Sequence, residues 1–420
     1  MELVLNLQFN IDNLSIVFSI LSFVVFLTAG IFSFEYMKHE GHHLRYTIFY
    51  VLAFFVFQAL CFADNLITYY FFFEMLTLTT FPLVLHNGSK EAIMAGLKYL
   101  FYSLCGAYMV LFGLYYSSPA TNFSFGGYMT NHLASSSANT GSGNLYLICI
   151  TLMIFGFGVK AGMFPMHAWL PTAHPVAPAP ASAVLSAIIV KAGVLGIIRT
   201  VFYVYGSDFI KGTFVQTLWM IITLVTVFMG SMLAFREDGL KKRLAYSTVS
   251  QVSYILFGLS TFTTEGFDGA ILQVVAHGFV KCGLFLCAGA IIYKTGKTKV
   301  SELRGIGKQM PVTMVCFTIL SLSLIGIPPT GGFVAKWFLA IGSLESGMGI
   351  MTWLGPVILL VSALLTAGYL LPVSMRGFFP GDDFDTEKCE NFEPNLLMTL
   401  PIIVLTVLAV LVGVFPGVIG

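Results

Sequence analysis

Apolar runs of about twenty residues recur along the whole chain, separated by short polar connections, which is the pattern of helices that cross a bilayer. The pattern predicts about twelve spans, near residues 12–33, 46–63, 65–87, 95–116, 145–168, 180–204, 213–235, 243–261, 268–293, 311–349, 352–375 and 397–418. The tenth is long and is interrupted by Gly326-Ile327-Pro328-Pro329-Thr330-Gly331-Gly332. The expected fold is an all-α membrane protein forming a single polytopic domain over 1–420. Only 117–144 and 376–396 are sizeable outside the spans, and neither is large enough to house a catalytic domain.

Composition agrees. The hydrophobic fraction is 57% and charged residues make up 10%, against roughly 25% charged in soluble domains. A net charge of +1 without a basic stripe excludes a nucleic-acid partner. Cys61, Cys105, Cys149, Cys282, Cys287, Cys316 and Cys389 match no zinc or iron–sulfur spacing and read as small buried residues. The start, MELVLNLQFNIDN, lacks the basic region of a cleaved signal peptide. The loops 36–45, 236–243 and 294–308 are basic, whereas 117–144 has no Lys or Arg. Alternation over the spans then puts the basic loops in the cytoplasm and both termini outside. It also puts the acidic run Asp382, Asp383, Asp385 inside, where acidic residues carry little weight in this rule.

The informative residues are charges embedded in apolar sequence: Glu74, Lys98, Lys160, Lys191, Lys281 and Lys336. Each costs about 2.5–3.5 kcal/mol at a helix centre, on the order of 15–20 kcal/mol together. One glutamate cannot neutralise five lysines, so structural ion pairs do not account for them. Lys98 lies close enough to a span end to snorkel. A hydrated path for protons or another small cation does account for the set. Lysine suits it because desolvation disfavours the charged amine and a nearby carboxylate restores it.

Lys160 is followed by Gly162 and Pro165, and Lys336 is preceded by Pro328, Pro329, Gly331 and Gly332. Two Gly/Pro-interrupted spans in the two halves, each bearing a lysine, fit an inverted-repeat transporter with broken helices. His277 lies four residues before Lys281 on one helical face, where a ring nitrogen can relay protons to the amine. His167 and His174 flank the Pro-rich stretch PMHAWLPTAHPVAPAPAS and either line an access route or cap helix ends. His39, His42 and His43 read as solvated loop residues rather than a zinc site.

The stretch FGFGVKAGMFPMHAWLPTAHPVAPAPASAVLSAIIVKAGVLGIIR resembles the central motif of the antiporter-like membrane subunits of respiratory complex I, a family shared with Mrp-type antiporters and membrane-bound nickel–iron hydrogenases. DNLITYYFFFEMLTL, KKRLAYSTVSQVSYIL, HGFVKCGLFLCAGA and LSLIGIPPTGGFVAKW match in family order, over roughly residues 8 to 376. The resemblance implies two inverted five-helix repeats, near 46–204 and 213–375, flanked by helices at 12–33 and 397–418. It implies that Glu74 pairs with Lys160, that Lys191 connects to His277 and Lys281, and that Lys336 faces the outer exit. Family members usually have two further helices before the segment FNIDNLSIVF, and the distal member in complex I has a long lateral helix; the sequence shows neither. Lysine at 336 is closest to proximal-type and Mrp-type members.

The expected function is translocation of H⁺, or alternatively Na⁺, as a subunit of a redox-driven complex of the NADH dehydrogenase or hydrogenase type in a prokaryotic plasma membrane. No cofactor or metal is expected on this chain. Iron–sulfur clusters, flavin or a nickel–iron centre would sit on peripheral partners beside other membrane subunits. The alternatives are a subunit of a Mrp-type Na⁺/H⁺ antiporter or of an ion-coupled inorganic-carbon uptake complex. A scaffold that had lost its ion path should have lost part of the charge set, and none of it is missing.

Overall fold

The computed structural model describes residues 7–117, 123–125, 142–381 and 390–418. Most of the expected loop at 117–144, the acidic run at 382–385 and Cys389 lie outside them. Among the described residues, ten helices are long and apolar enough to cross a membrane. In chain order they begin with α1 (Asn13–Glu40), α2 (His43–Cys61), α3 (Leu66–Val84) and α4 (Lys90–Ser117). The next crossing breaks into α5 (Ser142–Ala161) and α6 (Leu170–Val176), and α7 covers Ala179–Tyr205. Then come α8 (Phe214–Arg236), α9 (Leu240–Ser260) and α10 (Thr264–Thr295). The expected span at 311–349 is two helices, α11 (Pro311–Ile325) and α12 (Gly331–Glu345), followed by α13 (Ile350–Phe378) and α14 (Leu396–Val414).

Both breaks arise where the sequence removes helical backbone bonds. Gly162 takes φ +79° and Phe164–Pro165 is cis; Gly326 takes φ +94° and Pro328–Pro329 is cis. A left-handed residue ends a helix cheaply only when it is glycine. At the second break a Cβ on Gly332 would stand 1.9 Å from the Ser323 carbonyl oxygen, so the returning helix packs directly on backbone.

The two ends of the bundle are tied separately. At one end Gly239 bridges to Lys299, the Lys241 amine donates to the Ala177 carbonyl at 2.6 Å, and the His86 ring meets the Gly41 carbonyl at 3.1 Å. The three basic loops therefore share one face. At the other end Phe9 bridges to Ala63 and Asn65 to Ser124, and Arg199 donates to Asp12 at 2.5 and 2.8 Å.

α10 forms the axis, buried from Gly269 to Ile291 and packed against α1, α7, α9, α11, α12 and α14. α9 is nearly as buried, yet it falls outside the ten apolar crossings because it carries Lys241, Lys242, Arg243 and four serines. A helix both polar and enclosed must satisfy its side chains from its neighbours. That requirement builds the site.

Candidate functional site

Lys160, the penultimate residue of α5, is 1% exposed and donates to Thr77 Oγ1 on α3 at 2.5 Å. Its amine lies over the Phe73 ring at 4.7 Å and the Tyr99 ring at 5.8 Å. Glu74 is one turn before Thr77 on α3. It is half-buried, its Oε1 has no hydrogen-bond partner, and it acts on Lys160 through space without forming an ion pair with it.

Lys191 follows a π-helical turn, Leu185–Ile189, inside α7. The wide turn brings its amine back onto the Ser186 carbonyl at 3.2 Å. The same amine lies 2.6 Å from Nδ1 of His277 on α10, joining the two halves of the chain at one contact. Such π turns concentrate at functional positions. Lys281, also fully buried, donates to the Leu244 carbonyl at 2.9 Å and to Ser247 Oγ, both on α9. The expected pairing of His277 with Lys281 along their own helix is thus not the contact made: the imidazole turns to α7 and the amine to α9.

Lys336 is the sixth residue of α12. Its amine donates to the Leu324 and Ile325 carbonyls at 2.5 and 2.8 Å and lies 5.2 Å from the Tyr254 ring centre. Those carbonyls are free because Gly326 ends α11 there. The amine sits at the negative end of the broken helix. Pro328 and Pro329 form the turn of this break and Pro165 that of the first.

The remaining expected residues are placed differently. Lys98 is half-exposed in a lateral groove with Pro171, Thr172, Pro175 and Lys242. His167 lies in the short turn Met166–Trp169 after the first break, stacked on Phe164 and in the field of Lys98. His174 is completely buried, stacked on Phe285 at 4.8 Å, with neither ring nitrogen hydrogen-bonded. It caps no helix end at the surface. Lys241 and Lys281 both act on it through space.

The match to known families decides what this arrangement belongs to. A family described as NADH:quinone oxidoreductase/Mrp antiporter, TM, covers residues 63–366, and one described as NADH-ubiquinone oxidoreductase (complex I), chain 5 N-terminus, covers 1–47. The chain belongs to the antiporter-like membrane-subunit family. Among curated relatives it is 32% identical to NADH-quinone oxidoreductase subunit N of Desulforudis audaxviator, across 85% of this chain and 71% of that one. It is 28% identical to a Na(+)/H(+) antiporter subunit from Alkalihalophilus pseudofirmus, across 94% and 77%. Hydrogenase-4 component B of Escherichia coli is 29% identical across 97% of this chain, which spans 62% of that longer protein. Two solved structures share the fold. One is a chain of the Mrp complex from Dietzia sp. DQ12-45-1b, with TM-score 0.83 and 21% identity over 98% of this chain and 82% of that one. The other belongs to the membrane-bound sulfane sulfur reductase, an archaeal respiratory membrane complex, with TM-score 0.85 and 23% identity over 99% and 82%.

The resemblance expected from the motifs is therefore borne out, as is the multi-pass membrane fold. Several polar partners at the site were not singled out in the sequence. Thr77 and Ser247 are ordinary hydroxyls in helices, and nothing in their sequence neighbourhood marks them. Lys241 reads as part of a basic loop but is buried, donating to the Pro175 and Ala177 carbonyls. Arg199, inside the predicted span 180–204, was not singled out and forms a clasp with Asp12 that closes under the Phe125 and Tyr203 rings. The usable signal for the α9 residues was composition: a segment too polar to span unaided, yet flanked by spans.

Proposed function

We propose that this chain is the proton-translocating subunit of a complex I-like, redox-driven membrane complex. The row is Glu74, Lys160, Lys191, His277 with Lys281, and Lys336. The observation that carries it is the company the buried amines keep. Lys160, Lys191, Lys281 and Lys336 bond to hydroxyls, carbonyls and an imidazole, and none ion-pairs with a carboxylate among the described residues. An isolated buried ammonium is costly. Neutral partners let each amine exist in either charge state, which is what loading and unloading a proton requires. Amines and imidazole exchange protons, whereas hard cations such as Na⁺ are held by oxygen ligands, so the row favours H⁺.

In this reading residues 46–204 and 213–375 are the two inverted repeats, each with its fourth crossing broken beside a lysine. The basic loops face the cytoplasm of a prokaryotic cell. Electron transfer belongs to peripheral subunits carrying iron–sulfur clusters, flavin or a nickel–iron centre. Glu74 and Lys98 feed the first half, and His167 and His174 border the access route.

The test is proton uptake by proteoliposomes holding the purified complex. Lys160→Ala should stop uptake while the subunits still assemble; full uptake by that variant sinks the proposal. A second reading, a subunit of a Mrp-type Na⁺/H⁺ antiporter, is favoured by the coverage of the Alkalihalophilus antiporter relative. Co-purification separates the two: redox subunits support the first, and small membrane subunits without cofactors the second.

A further inference from the structure

α1 and α14 pack on each other and on the axial helix α10, yet a slot opens between them toward the bilayer. Its volume is about 590 Å³, within the range of small-molecule sites. The rim is formed by Ile16 and Ile20 of α1 and Leu411 of α14, all exposed, and the floor by Val275 and Phe279 of α10. The walls are fixed from behind. Leu21 of α1 rests on Gly278 of α10, and Gly413 of α14 rests on the Pro329 carbonyl of the second break, where an added Cβ would stand 2.8 and 2.1 Å from those neighbours. At the end away from the basic loops the slot runs into a second hollow of about 370 Å³, with Val17 lining both. This mouth is lined by Asn13, Asp268 and the rings of Tyr203, Phe267 and Phe338.

We propose that the slot holds an acyl chain of one ammonium-bearing phospholipid, whose headgroup is recognised in the mouth by Asp268 and the three rings. The site does not depend on the translocation reading. Its length fits one leaflet. Asp268 in the mouth and Phe279 on the floor are eleven residues apart on one helix, a rise of about 16 Å, and half of a hydrocarbon core is about 15 Å. Its width excludes a helix. A helix about 10 Å across fills on the order of 1,300 Å³ over that length, more than twice what the slot offers, so a partner helix rests on the rim and leaves the interior unfilled. Charge selects the headgroup. Asp268 is exposed and has no ion-pair partner among the described residues, and Glu265, three residues before it, adds to the negative field there. Arg199, behind the Tyr203 ring, is already engaged with Asp12. A carboxylate beside aromatic faces suits an ammonium, while the Asn13 amide can donate to the phosphate. A headgroup without a cation brings only its phosphate to a negative mouth.

The seated chain has a structural consequence. On its other faces α10 presents His277 to Lys191 and Lys281 to α9. One helix therefore separates the slot from the most buried charges of the molecule. Hydrocarbon against Val275 and Phe279 supplies the contacts that α1 and α14 leave out and keeps water from that side of the axis.

The experiment uses the intact complex in phosphatidylglycerol vesicles containing a trace of phosphatidylethanolamine with a photoactivatable acyl chain. After illumination, labelled peptides are located by mass spectrometry. Labelling should concentrate on residues 16–21 and 408–415, and unlabelled phosphatidylethanolamine should compete for it roughly tenfold better than phosphatidylglycerol. Asp268→Asn should erase that preference. Val17→Trp, which sets an indole where mouth and slot meet, should abolish the labelling, and Ile20→Trp on the exposed rim should do so if the first variant fails to assemble. Labelling no denser there than on the exposed face of α13 would mean bulk lipid only and overturns the site. Equal competition by the two lipids overturns headgroup recognition. Cross-linking of residues 16–21 to a helix of another subunit, with the lipid label absent, overturns the lipid as occupant.

Discussion

Lys160 sits just before the break that follows α5, and Lys336 sits six residues into α12, after the break that precedes it. The partner of Lys160 is a side chain, Thr77, with Glu74 one turn away and two aromatic rings over the amine. The partners of Lys336 are the Leu324 and Ile325 carbonyls of the helix end beside it, and no carboxylate pairs with it among the described residues. A side-chain hydroxyl can rotate away and a carboxylate can approach; a helix terminus does neither. In the proposed path, the first break suits a lysine that changes its charge, and the second a lysine held in one place against a fixed dipole.

That contrast can be broken. Its largest consequence is for Lys160→Ala and Lys336→Ala, both of which should cut proton uptake by about 10²-fold, the scale of a lost acid–base group. Normal pumping by Lys160→Ala would sink the translocation reading, and normal pumping by Lys336→Ala beside loss in Lys160→Ala would take the second break off the path. Thr77→Val removes the movable partner while conserving shape, and uptake should fall several-fold, with Thr77→Ser restoring it. Equal uptake by Thr77→Val and wild type would make the two sites alike after all.

Backbone changes should rank the breaks by rigidity. Gly332→Ala drives a Cβ into the Ser323 carbonyl and should cost about 1–3 kcal/mol, read as a lowered unfolding temperature in detergent. Gly162→Ala meets chiefly the flexible end of Leu170 and adds left-handed strain, so it should cost about 1–2 kcal/mol. The reverse order would contradict a rigid second break. The smallest effect should come from a loop clasp far from both breaks. The Ser301 hydroxyl and amide, bonding at 2.7 and 3.1 Å, hold the Asp238 carboxyl below its ordinary 3.8. Its lowered value makes that contribution complete above about pH 4 and lost as acidification passes the folded value. Asp238→Asn should therefore change neither uptake nor, at neutral pH, assembly beyond a slight loss measured by thermal unfolding.

The spans were legible because lipid demands long apolar helices, and the buried lysines because charges are rare in such helices. The breaks were legible from Gly326, Pro328 and Pro329 and from Gly162 and Pro165. What the sequence could not show is which side chain each amine meets. His277 and Lys281 share a helical face, and spacing alone pairs them; packing sends them to α7 and α9 instead. The π turn before Lys191 leaves no composition cue, since Leu185–Ile189 is as apolar as its surroundings. Lys98 shows the converse: its setting is apolar in sequence, yet the residue lies in a lateral groove shared with Lys242.

α9 carries an implication for biogenesis. Its lysines, serines and glutamine give it too little affinity for lipid to partition into the bilayer alone, while its neighbour α8 has ample apolar length and packs along it. The two are therefore expected to enter together as a hairpin, the second arm shielded from acyl chains by the first. Fused singly behind a glycosylation reporter, α9 should remain in the lumen, and the α8–α9 pair should insert. The segment that makes the interior polar would then depend on its predecessor in the chain to be in the membrane at all.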